Sequence, residues 1–159
     1  VVFALLPNRP TADYIGVKGG GLSLTLYLAD ANGVRALGEG ERIPGGSQLR
    51  FRVHLEAACT LQLASLDERG QVSDLFVHER ALPLAPGETT LPGGVQLDAR
   101  QGVEHFVAVC VAPDEPSFDL HAALEAFAAK MPPGVAGVLR PVPLLTRSRQ
   151  SSFAVETLP

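Results

Sequence analysis

Hydrophobic and polar positions alternate along much of this chain. Leu22, Leu24, Leu26 and Leu28 fall on one side, and Ser23, Thr25 and Tyr27 on the other. A period of two over that length predicts a half-buried β-strand. In "DANG", which follows, the Asn32-Gly33 pair suits the positive φ angles of a two-residue hairpin turn, and the chain returns through "GVRAL". The clearest alternation is "SQLRFRVHLE", where Leu49, Phe51, Val53 and Leu55 oppose Arg50, Arg52, His54 and Glu56. Its expected partner is "CTLQLASLD", with Cys59, Leu61 and Leu63 on one face. "ERG" then turns the chain at Gly70, and "QVSDLFV" comes back. A second hairpin is expected in "TTLPGGVQLDA", broken at Pro92-Gly93-Gly94.

"VEHFVAVCVA" is apolar on both faces, which predicts a central strand rather than an edge. One helix interrupts the strands. In "PSFDLHAALEAFAAKMPP", Leu120, Ala123, Leu124, Phe127, Ala128 and Met131 recur at helical spacing, predicting a helix over 118–131. Asp119 or Ser117 caps its start and Pro132-Pro133 stops it. "SSFAVETLP" reads as a last strand. Short strands at regular spacing with turn signals between them predict a mainly β fold. The expectation is an antiparallel, immunoglobulin-like β-sandwich over 22–159 with one packed α-helix.

Residues 7–21, "PNRPTADYIGVKGGG", carry no periodicity and read as a linker. Before them stands "VVFALLP", starting at Val1 without an initiator Met, as in an excised or processed piece. Six apolar residues are too few to span a bilayer, which needs about 20. Residues 1–6 are therefore either the end of a transmembrane helix, or a first apolar strand or frayed end.

At 159 residues the chain is long enough for one domain with a real core. Its formal charge of −4 argues against a nucleic-acid surface, which needs clustered Lys and Arg. Few aromatics and no Trp argue against a stacking platform for bases or sugars. Lys18 and Lys130 are the only lysines, a bias that fits a GC-rich bacterial genome.

The chemistry-bearing residues form no catalytic pattern. His54, His78, His105 and His121 lack the spacing of a zinc site. His54 and His121 fall on wet faces, and His78 lies in the acidic "FVHERAL". His105 neighbours Glu104, but successive strand residues point to opposite faces, so the two side chains do not meet. No nucleophile elbow is present, and "GVKGGG" lacks the strand, helix and Lys-Ser/Thr of a phosphate loop. Asp67 and Glu68 read as a solvated hairpin tip, and Asp98, Asp114, Glu115 and Asp119 as scattered loop acids. The expectation is a non-enzyme without metal or cofactor.

Cys59 opens one strand and Cys110 lies near the end of another. If the two strands are antiparallel neighbours, these ends are adjacent and a bridge is feasible. Two buried free thiols are the other reading. Cellular location decides between them.

"GGSQLRFRVHLEAACTLQLASLDERGQVSDLF" and "LPLAPGETTLPGGVQLDARQGVEHFVAVCVA" together resemble a bacterial family of unknown function. The likeness rests on a "G-x-x-L-x-F-x-V" strand from Gly46, a "D-x-x-G-x-V-x-x-L-F" hairpin from Asp67 and "L-D-x-x-x-G-x-E-x-F-x-A-V" from Leu97. It runs from about Leu22 to Met131, with one departure: Phe76-Val77-His78 stands where the family carries Phe-Pro-Asn. Such domains look like extracytoplasmic modules of membrane-anchored, anti-sigma-factor-like regulators in GC-rich bacteria. The resemblance implies a periplasmic location, a membrane helix ending in "VVFALLP", and a Cys59–Cys110 disulfide. It supplies no catalytic residue. The expected function is sensing or protein interaction, with an unknown periplasmic protein or small ligand as partner. The competing expectation is a secreted carbohydrate-binding or hydrolase accessory domain.

Overall fold

The computed structural model describes residues 21–75, 81–131 and 149–159. The expected linker up to residue 20, the "VVFALLP" run, His78 and the Pro132-Pro133 helix stop lie outside the described residues. Among the described residues, eleven strands and one helix follow in the order β1 (Leu22–Asp30), β2 (Gly33–Ala36), β3 (Glu41–Pro44), β4 (Gln48–Leu55), β5 (Cys59–Asp67), β6 (Val72–Asp74), β7 (Leu82–Leu84), β8 (Gly87–Thr90), β9 (Val95–Gln96), β10 (Gly102–Val111), α1 (Leu120–Lys130) and β11 (Arg149–Leu158).

They form two sheets packed face to face. The first runs β2-β1-β4, with β8 and β9 both on the far edge of β4. The second runs β3-β11-β10-β5, with β6 and β7 both on the far edge of β5. The alternating rows meet between the sheets as predicted: Leu22, Leu24, Leu26 and Leu28 of β1 and Leu49, Phe51, Val53 and Leu55 of β4 are all buried. From the other side come Leu61 and Leu63 of β5, Phe106 and Ala108 of β10, and Phe153 and Val155 of β11. The Phe51 and Phe106 rings bridge the layers with centroids 5.3 Å apart. Burying such side chains stabilises by about 1.5–3 kcal/mol each, so this interior is the main source of fold stability.

The strand β10 is central, between β5 and β11, because a second apolar layer covers its outer face. There Val107, Val109 and Val111 pack with Ala64, Leu66, Leu120 and Leu124, and Phe127 joins from the rim. Asp119 caps the helix, its carboxylate accepting from the Ala122 amide at 3.0 Å. Gln62 on β5 fixes the same end: its Oε1 accepts from the Leu120 amide at 2.8 Å, and its Nε2 donates to the Phe118 carbonyl.

One expected pairing is wrong: β5 is not the partner of β4 but lies in the second sheet beside β10, β6 and β7, whereas β4 pairs with β1, β8 and β9 in the first. Three finer expectations also need correction. First, the β1–β2 turn is Ala31-Asn32 rather than Asn32-Gly33. Asp30 pairs with Gly33 across the ladder, and the Asp30 carboxylate accepts from the Asn32 amide at 2.8 Å. That side-chain bond closes the turn one residue earlier.

Second, "TTLPGGVQLDA" is not a hairpin. β8 and β9 both pair with β4, end to end along one edge. The Leu91 amide donates to the Phe51 carbonyl and the Leu97 amide to the Ser47 carbonyl, each at 2.9 Å. Pro92-Gly93-Gly94 is a break in a single edge, and a Cβ on Gly94 would lie 2.7 Å from the Leu49 carbonyl oxygen. Glycine lets the chain hug its neighbour there.

Third, pairing is not antiparallel throughout. β3 lies parallel to β11, with Ile43 beside Thr157. The segment after β2 carries the chain from the first sheet to the edge of the second, and it enters in the direction of β11.

Candidate functional site: a polar cleft at the mouth of the sandwich

The inward rows of β5 and β10 change character along their length. They begin at Cys59 and Cys110 and run through Leu61, Leu63, Ala108 and Phe106. They end at Ser65 and Asp67 on β5 and Glu104 on β10, with Glu104 opposite Asp67. The oily interior thus opens at one end into a polar cleft of about 250 Å³.

Two turns form its rim. In the first, the Asp67 carboxylate accepts from the Arg69 amide at 2.9 Å and the Gln71 amide at 2.8 Å. In the second, the Asp98 carboxylate accepts from the Arg100 amide at 3.0 Å. These are short side-chain-to-backbone bonds of the kind that fix Asx turns. Glu68 crosses between the turns, its carboxylate accepting from the Val103 amide at 3.4 Å. The crossing needs glycine at position 102, where φ is +150° and a Cβ would lie 2.6 Å from the Glu68 carboxyl carbon.

Glu104 is the chemically distinctive group. Burial lifts its carboxyl above the usual range, a hydrogen bond from Ser65 pulls it partly back, and the charges of Asp67 and Asp98 lift it again. Ser65 and Thr157, which also line the cleft, are buried. Leu75, Val95 and Leu97 supply apolar wall. The arrangement offers carboxylate and hydroxyl groups at a partly desolvated surface, with Arg69 and Arg100 on the rim.

Asp67 and Glu68 are expected at a solvated tip and Asp98 among scattered loop acids. The structure corrects this: both turns converge on one cleft, and Glu68 is held across it. Asp67, Leu97, Asp98, Gly102 and Glu104 line this mouth, and Gly70 lies beside it, its amide donating to the Asp67 carbonyl at 3.0 Å. The missed signal was their pairing across strands 35 positions apart, as in Glu68 to Val103.

His54 is exposed, His105 is buried on the helix side of β10, and Glu104 faces the other way. His121 leaves the wet face of α1 to clamp β6. Its Nδ1 lies 3.1 Å from Asp74 and its Nε2 3.3 Å from Glu125, and the bond to Asp74 raises its pKa. Asp119 and Glu115 each cap a local turn or helix end. Among the described residues no group of three or more His, Cys, Asp or Glu is placed to hold a metal ion.

Cys59 and Cys110 are joined in a disulfide with Cα atoms 5.5 Å apart. Cys110 lies opposite Leu61, so the bridge crosses diagonally between neighbouring antiparallel strands. Both cysteines are buried. Closing a loop with a separation of 51 residues is worth about 4 kcal/mol in the chain-entropy account. A buried disulfide suggests an oxidising, extracytoplasmic environment. No family model, curated protein or solved structure matches this chain.

Proposed function

We propose that this chain is a non-catalytic extracytoplasmic domain that senses a small ligand or engages a partner protein. In this reading it belongs to a membrane-anchored bacterial regulator of the anti-sigma-factor-like kind, facing the periplasm. The two sheets are then a variant of the immunoglobulin-like sandwich, with β3 added in parallel beside β11.

One observation carries the reading. The carboxylates around the cleft hold its walls: Asp67 and Asp98 accept backbone N–H bonds within the rim turns, and Glu68 accepts one from Val103 at the start of β10. A carboxylate anchored by backbone N–H bonds keeps its position, which suits it to shaping a recognition surface. The family likeness and the buried bridge support the location. A carbohydrate ligand is less well served, because no aromatic ring is among the described residues lining the cleft.

The test places a photo-crosslinking residue at exposed Gln101 on the cleft rim of the full-length protein in its own cells, with a control at exposed Glu125 on α1. The expected result is a discrete adduct from position 101 only. Identical adducts from both positions, or hydrolytic turnover by the purified domain, would overturn the proposal.

A further inference from the structure

The cleft at the mouth of the sandwich is lined by the carboxyl groups of Asp67, Glu68, Asp98 and Glu104 and by the guanidinium groups of Arg69 and Arg100. Arg100 is engaged by Asp98, its Nε 3.6 Å from that carboxylate in an exposed contact. Among the described residues no cation of the chain lies within ion-pair distance of Asp67, Glu68 or Glu104. Glu104 stands directly opposite Asp67 in the β5–β10 ladder. Opposed ladder residues hold their Cβ atoms about 4.5–5.5 Å apart, where like charges destabilise the pair. Asp67 uses Oδ1 for both rim amides and Glu68 uses Oε2 for Val103, so Asp67 Oδ2 and Glu68 Oε1 take no part in those bonds.

A second observation, independent of charge, lies on β11. Thr157 continues the inward row of Phe153 and Val155 and stands opposite Gly102, where β10 carries no side chain. It is 4% exposed and lines the cleft, yet its hydroxyl has no hydrogen-bond partner among the described residues. Buried polar groups are paired as a rule, so an unpaired hydroxyl facing a cleft marks a place for a ligand atom.

We infer that the cleft binds a primary alkylammonium group, its N–H donors shared among Asp67, Glu104 and Thr157. This names the ligand chemistry of the recognition site proposed above and rests on that reading. An alkylammonium brings three N–H donors and no acceptor, which suits a site whose free groups are acceptors. Those acceptors stand on three strands, β5, β10 and β11, which matches the spread donors of an ammonium better than the planar fork of a guanidinium. An ammonium here also offsets the charges of Asp67 and Asp98 that act on Glu104. Among the described residues no three acidic groups come together as metal ligands, so the charge is laid out for an organic cation. Leu75, Val95 and Leu97 receive its aliphatic stem. A quaternary ammonium lacks N–H donors and is held by aromatic rings, none of which is among the described residues lining the cleft. A free amine and the lysine side chain of a partner protein both offer the required group.

The test titrates isotope-labelled oxidised protein with butylammonium chloride at pH 7.5 and constant ionic strength, beside tetramethylammonium chloride and magnesium chloride. The expected result is saturable amide shifts at Asp67, Gly102, Glu104 and Thr157, with both control cations binding there roughly fivefold more weakly or worse. Glu104→Gln should weaken butylammonium roughly fivefold and Thr157→Val roughly twofold to threefold, with amides outside the cleft unmoved. A capped Gly-Lys-Gly peptide separates the sources within the inference: tighter binding than butylammonium assigns the group to a partner's lysine, and otherwise to a free amine. Equal binding of the three cations, shifts centred elsewhere, or full affinity in both variants would overturn the inference. If no cation binds while the cross-link from Gln101 still forms, the ammonium chemistry is wrong and the recognition reading stands. If neither occurs, both are wrong.

Discussion

Glu39 sits in the turn between β2 and β3, against the edge of β11. Its Oε1 accepts from the Ala154 amide at 3.0 Å, while Oε2 is buried without a hydrogen-bond partner among the described residues. Burial pushes the carboxyl up to about 7 from 4.5, and the Ala154 bond offsets only part of that. The folded state therefore favours the neutral acid. A carboxyl with a raised folded pKa contributes its full stability below the unfolded value of 4.5 and loses it as pH rises through about 7. That displacement sets a ceiling of about 3 kcal/mol. Glu39 is only part-buried, so water relaxes the charged form, and a penalty of about 1–2 kcal/mol at pH 8.5 is the working figure.

Glu39→Gln keeps the acceptor for Ala154 and removes the titration. Urea unfolding of oxidised protein at pH 5 and pH 8.5 measures the effect. The variant should gain about 1–2 kcal/mol on the wild type between the two pH values. Any fixed cost of the amide at the Oε2 position cancels in that difference. His121 also titrates across this range, but equally in both proteins. If the gap between variant and wild type is the same at both pH values, the burial argument for Glu39 is wrong.

Three further outcomes follow from the geometry. Unreduced, denatured protein should show no titratable thiol, and Cys59→Ala with Cys110→Ala should lower stability by about 2–4 kcal/mol in denaturant unfolding. Gly102→Ala should cost about 1–3 kcal/mol through its positive φ and its collision with Glu68. Adding Glu68→Ala should recover the collision part, and additive losses would show that Glu68 does not cross the glycine. His121→Ala should destabilise the domain at pH 5.5 and matter progressively less as pH rises through the raised His121 pKa, because only the protonated ring gains from Asp74 and Glu125. A pH-independent loss would indicate a packing role alone.

The core was legible because burial imposes a period of two and the side chains obey it. Leu22 to Leu28 and Leu49 to Leu55 announce their faces without reference to anything else in the chain. The helix was legible for the same reason at its own period. Partnership was not. Nothing local in "TTLPGGVQLDA" distinguishes two strands pairing with each other from two pieces of one edge laid along β4. Nor does "ERIP" show that it joins β11 in parallel, since edge pairing is decided by where the crossover delivers the strand. The cleft failed to appear for a related reason. Asp67, Glu68, Asp98 and Glu104 are ordinary loop and strand acids until the β5–β10 register brings them together. The disulfide was half legible: strand ends allowed it, and only antiparallel adjacency made it geometrically available.

That bridge also changes how the chain answers a pull. Load applied between β1 and β11 can peel away the outer strands, but the path through Cys59 and Cys110 is shorted by the sulfur link. The residues between them, a separation of 51, cannot be drawn out while it holds. At about 3.6 Å per residue, roughly 180 Å of contour length stays locked. Stretched by its two ends, the oxidised protein would extend in a first, limited step and then stop at a covalent ring that still contains β6 to β9. Reduction alone would release the rest.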